Sequence, residues 1–221
     1  MSEPLALPAR PAAAIFDLDG TLVDTVATRI RAWLDVFSEE GIPADRPRVA
    51  ALIGSDGRRL AREVAEAAGM PLAAGRDEAI DERCGRIFAD LNRSPVVLPG
   101  VHDLLGRLDA AGIRWAIATS SRREQVAASV EALKLPHLPL IVDGTHVAHA
   151  KPAPDLLLLT AERLHADPAS CWYLGDATWD MLAALAAGMP AIGVTTGAVD
   201  AAALMAAGAA RVVASLAEIA V

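Results

Sequence analysis

The stretch Ala14-Ile15-Phe16-Asp17-Leu18-Asp19-Gly20-Thr21-Leu22-Val23-Asp24 sets two carboxylates on either side of one leucine, at the end of an apolar run. The run 12–16 has the length of a buried strand, and strand alternation sends Asp17 and Asp19 to the same side. Acids placed so repel each other, which is tolerable only with a cation or a shared proton between them. Gly20 permits a sharp turn, and Thr21 offers a hydroxyl and a backbone N–H. Three later segments carry matching chemistry. The apolar run 113–118 ends in Thr119-Ser120-Ser121, hydroxyls able to donate to phosphate oxygens. Lys151 precedes a proline-started helix in Ala150-Lys151-Pro152-Ala153-Pro154-Asp155. The run 171–174 leads into Gly175-Asp176, and a helix begun there turns Asp180 back toward Asp176. Acids, hydroxyls and one ammonium at strand ends are what a phosphoryl-transfer site requires.

The elements that must position these groups are legible in the hydrophobic spacing. Residues 25–41 have apolar positions at Ile30, Trp33, Leu34 and Phe37, a helical pattern, and 48–53, 58–68 and 77–91 read as three further helices. No strand is expected between 23 and 97, and Pro95 and Pro99-Gly100 punctuate its end. Beyond residue 101, helix and strand alternate. Helices are expected at 102–111, 123–133, 154–165, 180–187 and 199–207, and strands at 113–118, 140–142, 171–174, 191–194 and 211–214. Such alternation implies right-handed β-α-β units and a parallel sheet covered on both faces. The fold class is therefore α/β: a Rossmann-like parallel core, 1–22 plus 98–221, with an all-helical cap, 23–97, inserted into it. Ligands of open α/β sheets bind beyond the carboxyl ends of the strands, where Asp17, Asp19, Thr119 and Asp176 all fall.

In this order the motifs resemble those of the haloacid dehalogenase superfamily, in its phosphatase branch with a helical cap. The resemblance covers essentially the whole chain. It rests on DLDGT at 17–21, Thr119, Lys151 and GDATWD at 175–180, and KPAPD at 151–155 is most similar to the phosphoglycolate phosphatase and β-phosphoglucomutase group. It implies that Asp17 is a nucleophile forming an aspartyl-phosphate, and that Asp19 is the general acid for the leaving alcohol and then the base for water. Magnesium (Mg2+) is the expected cation, since it takes one or two carboxylates plus water and phosphate. Asp17, Asp176 and the backbone carbonyl of Asp19 would hold it, with Asp180 beside them, directly or through water. Lys151 would neutralise Asp17 and the phosphoryl group, and Thr119 with the Ser120 N–H would hold a phosphoryl oxygen. Ser121 reads as a helix N-cap ahead of Arg122. The cap loop Gly54-Ser55-Asp56-Gly57-Arg58-Arg59 resembles a substrate-facing loop, where Arg58 or Arg59 would grip a second anionic group of the substrate. His146 and His149 lack a third ligand at metal spacing and read as solvated loop histidines.

Departures from the family pattern sort its branches. Dehalogenases carry a different residue where Asp19 stands. Phosphonatases need a cap lysine, and residues 23–97 contain none. β-Phosphoglucomutases have a second acid where Gly175 stands and a lysine in the cap loop. The expected activity is thus hydrolysis of a small phosphorylated metabolite, with a sugar-phosphate mutase as the alternative and a non-catalytic binding protein as the alternative of another class. Composition agrees. A net charge of −8 without a basic run argues against a nucleic-acid partner. No apolar stretch approaches bilayer length and no signal peptide is indicated, so no membrane is expected. Two cysteines far apart in sequence, Cys84 and Cys171, read as free thiols of a cytoplasmic protein. The sequence leaves the oligomeric state open.

Overall fold

The structure is a computed structural model and describes residues 5–221. Six strands form one parallel sheet: β1 (Ala13–Phe16), β4 (Arg114–Ala118), β5 (Leu140–Val142), β6 (Cys171–Gly175), β7 (Ala191–Val194) and β8 (Arg211–Val213). Their order is β5-β4-β1-β6-β7-β8. The first strand in the chain therefore lies in the middle, with Phe16 opposite Ile117 on one side and Leu174 on the other. A central parallel strand is buried on both faces, which explains why β1 is apolar throughout instead of alternating.

Helices cover both faces. Ala14 and Phe16 pack with α5 (Val101–Ala110) and with Val126 of α6 (Arg123–Ala132). Ala13 and Ile15 point the other way, toward α7 (Asp155–Arg163) and α8 (Thr178–Ala186), while α9 (Ala201–Ala206) closes the β7–β8 end. A third apolar core lies among α1 (Val26–Glu39), α2 (Arg46–Leu52), α3 (Gly57–Ala67) and α4 (Arg76–Leu91), built on Trp33, Phe37, Leu60, Ile80 and Phe88. Among the described residues no helix is long and apolar enough to cross a membrane.

Two expectations need correction. The segment 23–97 is not free of strands: it opens on β2 (Val23–Asp24) and closes on β3 (Val96–Val97), which pair antiparallel with Val23 opposite Val97. Two-residue strands are too short for any periodicity to show. The helix after Asp176 also starts earlier than residue 180. Asp180 sits in the first turn of α8 and its Oδ2 accepts from the Ala177 N–H at 2.9 Å, satisfying one of the helix's unpaired donors.

Leu108 is fully buried on α5, far along the helix from the acids at the strand ends. Truncation of a buried leucine removes transfer energy and leaves a cavity, so Leu108→Ala should lower unfolding free energy by about 2–5 kcal/mol in urea titrations. A loss below about 1 kcal/mol would contradict this packing of α5 on the sheet.

Candidate active site

Strand register brings the chemistry together. The Asp17 N–H donates to Leu174 O at 2.8 Å, and the Thr119 N–H to Val142 O at 3.0 Å, so the ends of β4, β1 and β6 lie side by side. Asp17, Thr119 and Asp176 emerge from those three ends. Lys151 reaches the same point from the loop between β5 and α7. Its Nζ donates to Asp17 Oδ1 at 2.5 Å, Asp180 Oδ1 at 2.7 Å and Tyr173 Oη at 3.2 Å. The Tyr173 hydroxyl in turn donates to Asp180 Oδ1 at 2.7 Å, and Thr21 Oγ1 to Asp176 Oδ1 at 2.9 Å. Lys151, Asp17, Asp176 and Asp180 are all buried.

Charge does not balance in this cluster. Asp17, Asp176 and Asp180 each place a carboxylate oxygen within 4.8 Å of the others, and among the described residues only Lys151 is ion-paired with the cluster, through Asp17 and Asp180. Burial, reinforced by the neighbouring Asp180, pushes the Asp17 carboxyl up to about 7 despite Lys151. Burial and repulsion from Asp180 and Asp17 push Asp176 well above the usual carboxylate range. Burial alone would lower the Lys151 ammonium, but Asp17 and Asp180 outweigh it and hold the group protonated. With all three carboxylates ionised the deficit would be two positive charges, and the side-chain donors are all carboxylate oxygens. That donor set suits a hard divalent cation.

Asp19 occupies a different environment. Its Oδ2 accepts from Arg29 Nη2 at 2.7 Å and from Ser121 Oγ at 3.1 Å, and its Oδ1 accepts from Thr25 Oγ1 at 2.7 Å. Burial would raise its pKa, but the Arg29 charge and these hydrogen bonds prevail and hold the carboxyl below its ordinary value. Arg29 is itself buried, with its guanidinium 3.4 Å from the centre of the Phe88 ring. Ser121 is thus no N-cap. Arg122 is the residue at that position of α6, and the Ser121 hydroxyl bridges Arg29 and Asp19.

A cavity lies between these groups and the helices of 26–91, lined by Asp17, Asp19, Thr119, Ser120 and Lys151 below and by Arg29, Trp33, Asp81 and Cys84 above. The loop 54–57 closes over it: the Asp56 N–H donates to Lys151 O at 2.9 Å, and Ser120 Oγ to Gly54 O at 3.4 Å. Trp179 Nε1 also donates to Ala51 O at 2.9 Å. Arg58 and Arg59 do not line this cavity. Arg58 folds back onto Asp56 at 2.9 Å, and Arg59 pairs with Glu63 at 2.6 Å and covers the Trp179 ring. Both guanidiniums are thus engaged by carboxylates of their own loop and helix. Burial pushes the Cys84 thiol far up, so it is no thiolate nucleophile. His146 pairs with Asp143, and His149 is exposed beside Asp155.

Arg29 and Tyr173 are the site residues that sequence reasoning missed, and the role of Ser121 beside Asp19 went unread. Arg29 left a trace, a charge three residues after Val26 and four before Trp33 on the apolar face of α1. Tyr173 lies inside an apolar strand and left none.

A parallel sheet with acids, hydroxyls and one ammonium at the ends of its central strands defines a class of enzymes that handle phosphoryl groups. The chain belongs to the haloacid dehalogenase-like hydrolase family, which it matches over residues 14–194. It is 37% identical to a probable phosphatase, IndB, of Dickeya dadantii, over 83% of this chain and 80% of that one. It is 35% identical to a phosphoglycolate phosphatase of Xanthomonas campestris pv. campestris, over 82% of each. A hydrolase from Pseudomonas syringae superposes with a TM-score of 0.89 at 34% identity, covering 93% of this chain and 94% of that one. Within the family the protein is an enzyme of the phosphoric monoester hydrolase type.

The Arg29–Asp19 pair can be isolated by a double-mutant cycle of Arg29→Leu and Asp19→Asn, followed by urea unfolding. Breaking a buried pair by removing one partner should cost about 3–5 kcal/mol, with a coupling above about 1 kcal/mol at pH 7. Asp19 is depressed in the fold, so its contribution is full above its unfolded value of 3.8 and is lost as pH falls through the folded value. The coupling should therefore shrink in strong acid. A coupling near zero at pH 7 would contradict the pairing.

Proposed function

We propose that this protein is a magnesium-dependent phosphatase that hydrolyses a small phosphorylated metabolite through an aspartyl-phosphate on Asp17. The observation that carries the reading is the uncompensated cluster of Asp17, Asp176 and Asp180 around Lys151, opening on a cavity bordered by Thr119, Ser120 and Asp19. Asp17 and Asp176 would hold the ion with the backbone carbonyl of Asp19. Asp180 has Oδ1 shared by Lys151 and Tyr173 and Oδ2 taken by Ala177, so its part is to orient Lys151 from behind. Bound there, magnesium would draw charge from the phosphoryl oxygens and from Asp17.

The chain's own residues supply the rest. An Asp17 carboxylate oxygen forms the new bond to phosphorus as the ester oxygen departs. Lys151 faces both the nucleophile and the phosphoryl charge, while Thr119 Oγ1 and the Ser120 N–H hold a phosphoryl oxygen. Asp19, kept ionised by Arg29, is in the form that takes a proton from water in the second step. Proton donation to the leaving alcohol requires its release from Arg29.

The mutase alternative is disfavoured at Gly175. A Cβ there would collide with the Asp180 carboxylate, so the second acid of the mutase pattern has no room in this arrangement. The helices of the cap also contribute no lysine.

Asp17→Asn keeps the shape and removes the nucleophilic charge, so phosphate release from an aryl phosphate should fall at least about a thousandfold with the fold intact. EDTA should abolish wild-type turnover and magnesium restore it. Substantial turnover by a well-folded Asp17→Asn protein would contradict the nucleophile. Conversion of glucose 1-phosphate to an isomer with little free phosphate would favour the mutase.

A further inference from the structure

The sheet ends at β5, and beside that edge the segment Leu135-Pro136-His137-Leu138-Pro139 separates two hollows of about 440 and 460 Å3. Leu138 on this ridge is 73% exposed, more than any other large apolar side chain among the described residues. The smaller hollow is lined by Val126 and Val130 of α6 and by Ile141 of β5, all buried or half-buried. This edge is poorly made for strand pairing, because β5 has three residues and Pro136 and Pro139 bring no N–H to it. What it presents is an apolar knob beside an apolar hole, a combination that marks a contact surface.

The charges around the hollows narrow the partner. The chain carries a net charge of −8, so two copies repel each other over most of their surface. Around the ridge the balance reverses, with Arg114, Arg123 and Lys134 against Asp109 and Glu131. Three of these are engaged locally. Arg123 pairs with Asp143 at 3.3 Å, Arg114 donates to His165 O at 3.4 Å, and Asp109 accepts from Trp115 Nε1 at 2.9 Å. Glu131 and Lys134 are left over. Both are exposed on the rim of the smaller hollow, three residues apart, and neither is ion-paired with a described residue. A face that carries its own knob, its own hole and one spare charge of each sign complements itself about a two-fold axis, where residue i meets j and j meets i.

We infer that a second copy of this chain docks here about a two-fold axis, Leu138 of each copy entering the hollow of the other and Lys134 of each meeting Glu131 of the other. The apolar centre supplies the burial, and the two charge pairs on its rim fix the orientation and suppress other pairings. The face lies on α6 and the edge strand, outside the cavity beneath α1–α4, so docking leaves that cavity's lining unchanged.

Sedimentation velocity of the full chain between about 1 and 100 µM tests this, the range in which an interface of modest affinity assembles. The expected result is a reversible monomer–dimer equilibrium. Leu138→Asp alters an exposed position, so Tm should hold while the dimer Kd rises at least about thirtyfold. Glu131→Lys and Lys134→Glu should each weaken the dimer about tenfold by setting like charges opposite one another. Mixed in equal amounts, those two variants should form a mixed dimer about as tight as the wild type, because both rim contacts of the mixed pair then join opposite charges. The charge variants lie on the surface and test the arrangement independently of Leu138. A wild-type chain that stays monomeric throughout overturns the proposal and leaves the face to an unrelated protein. A dimer indifferent to Leu138→Asp, or charge variants that fail to recover on mixing, would overturn it as well.

Discussion

Lys151 stands alone against three buried carboxylates, and much of the architecture serves to keep that group assembled. Each buried ion costs several kcal/mol in lost hydration, returned only where geometry and hydrogen bonds are good. The sheet supplies the geometry. With β1 between β4 and β6, Asp17 and Asp176 leave neighbouring strand ends a few ångströms apart, and Lys151 is delivered across them by the loop after β5. The first turn of α8 then swings Asp180 behind the ammonium, fixed by the Tyr173 hydroxyl and the Ala177 N–H. Glycines make the approach possible: a side chain at Gly20 or Gly197 would strike the Asp176 carboxylate. An acid-rich cluster this poorly compensated is an expensive structural device, and the cation-binding role proposed for it would account for the expense.

The second constraint is the close fit of α1–α4 over that cluster. Their own core, around Phe37, Leu60 and Phe88, packs them into one lid. The chain leaves and re-enters the sheet side through the short β2–β3 ribbon. Contact with the sheet side is polar at the centre, where Arg29 holds Asp19 and the Asp56 N–H meets Lys151 O, and aromatic at the edge, where Arg59 and Ala51 meet Trp179. Arginines from the lid are consumed in these pairings.

The fold was largely legible from the alternation of apolar runs and helical spacing, because a doubly covered parallel sheet demands continuous apolar strands such as Ala13–Phe16. The short ribbon escaped because two residues carry no period. Among site residues, Asp17, Thr119 and Asp176 could be grouped beforehand since each follows a strand, and Lys151 since it stands just ahead of a proline-started helix. Arg58 and Arg59 look available in sequence, yet Asp56 and Glu63 lie two and four residues away and claim them, a local pairing that the spacing itself carries. Pairings across the lid were not readable. Arg29 looks like one more helix arginine until α1 is laid over Asp19. Side-chain commitment depends on where helices land, and local spacing does not encode that.

The central claim is that Asp17 becomes covalently bonded to phosphorus. It is tested most directly by acid-quenching the enzyme during turnover of a substrate carrying radiolabelled phosphate, then isolating peptides. The account predicts acid-stable, base-labile label on the peptide that contains Asp17. Label on another peptide, or unlabelled protein at every time point while phosphate accumulates, would contradict it.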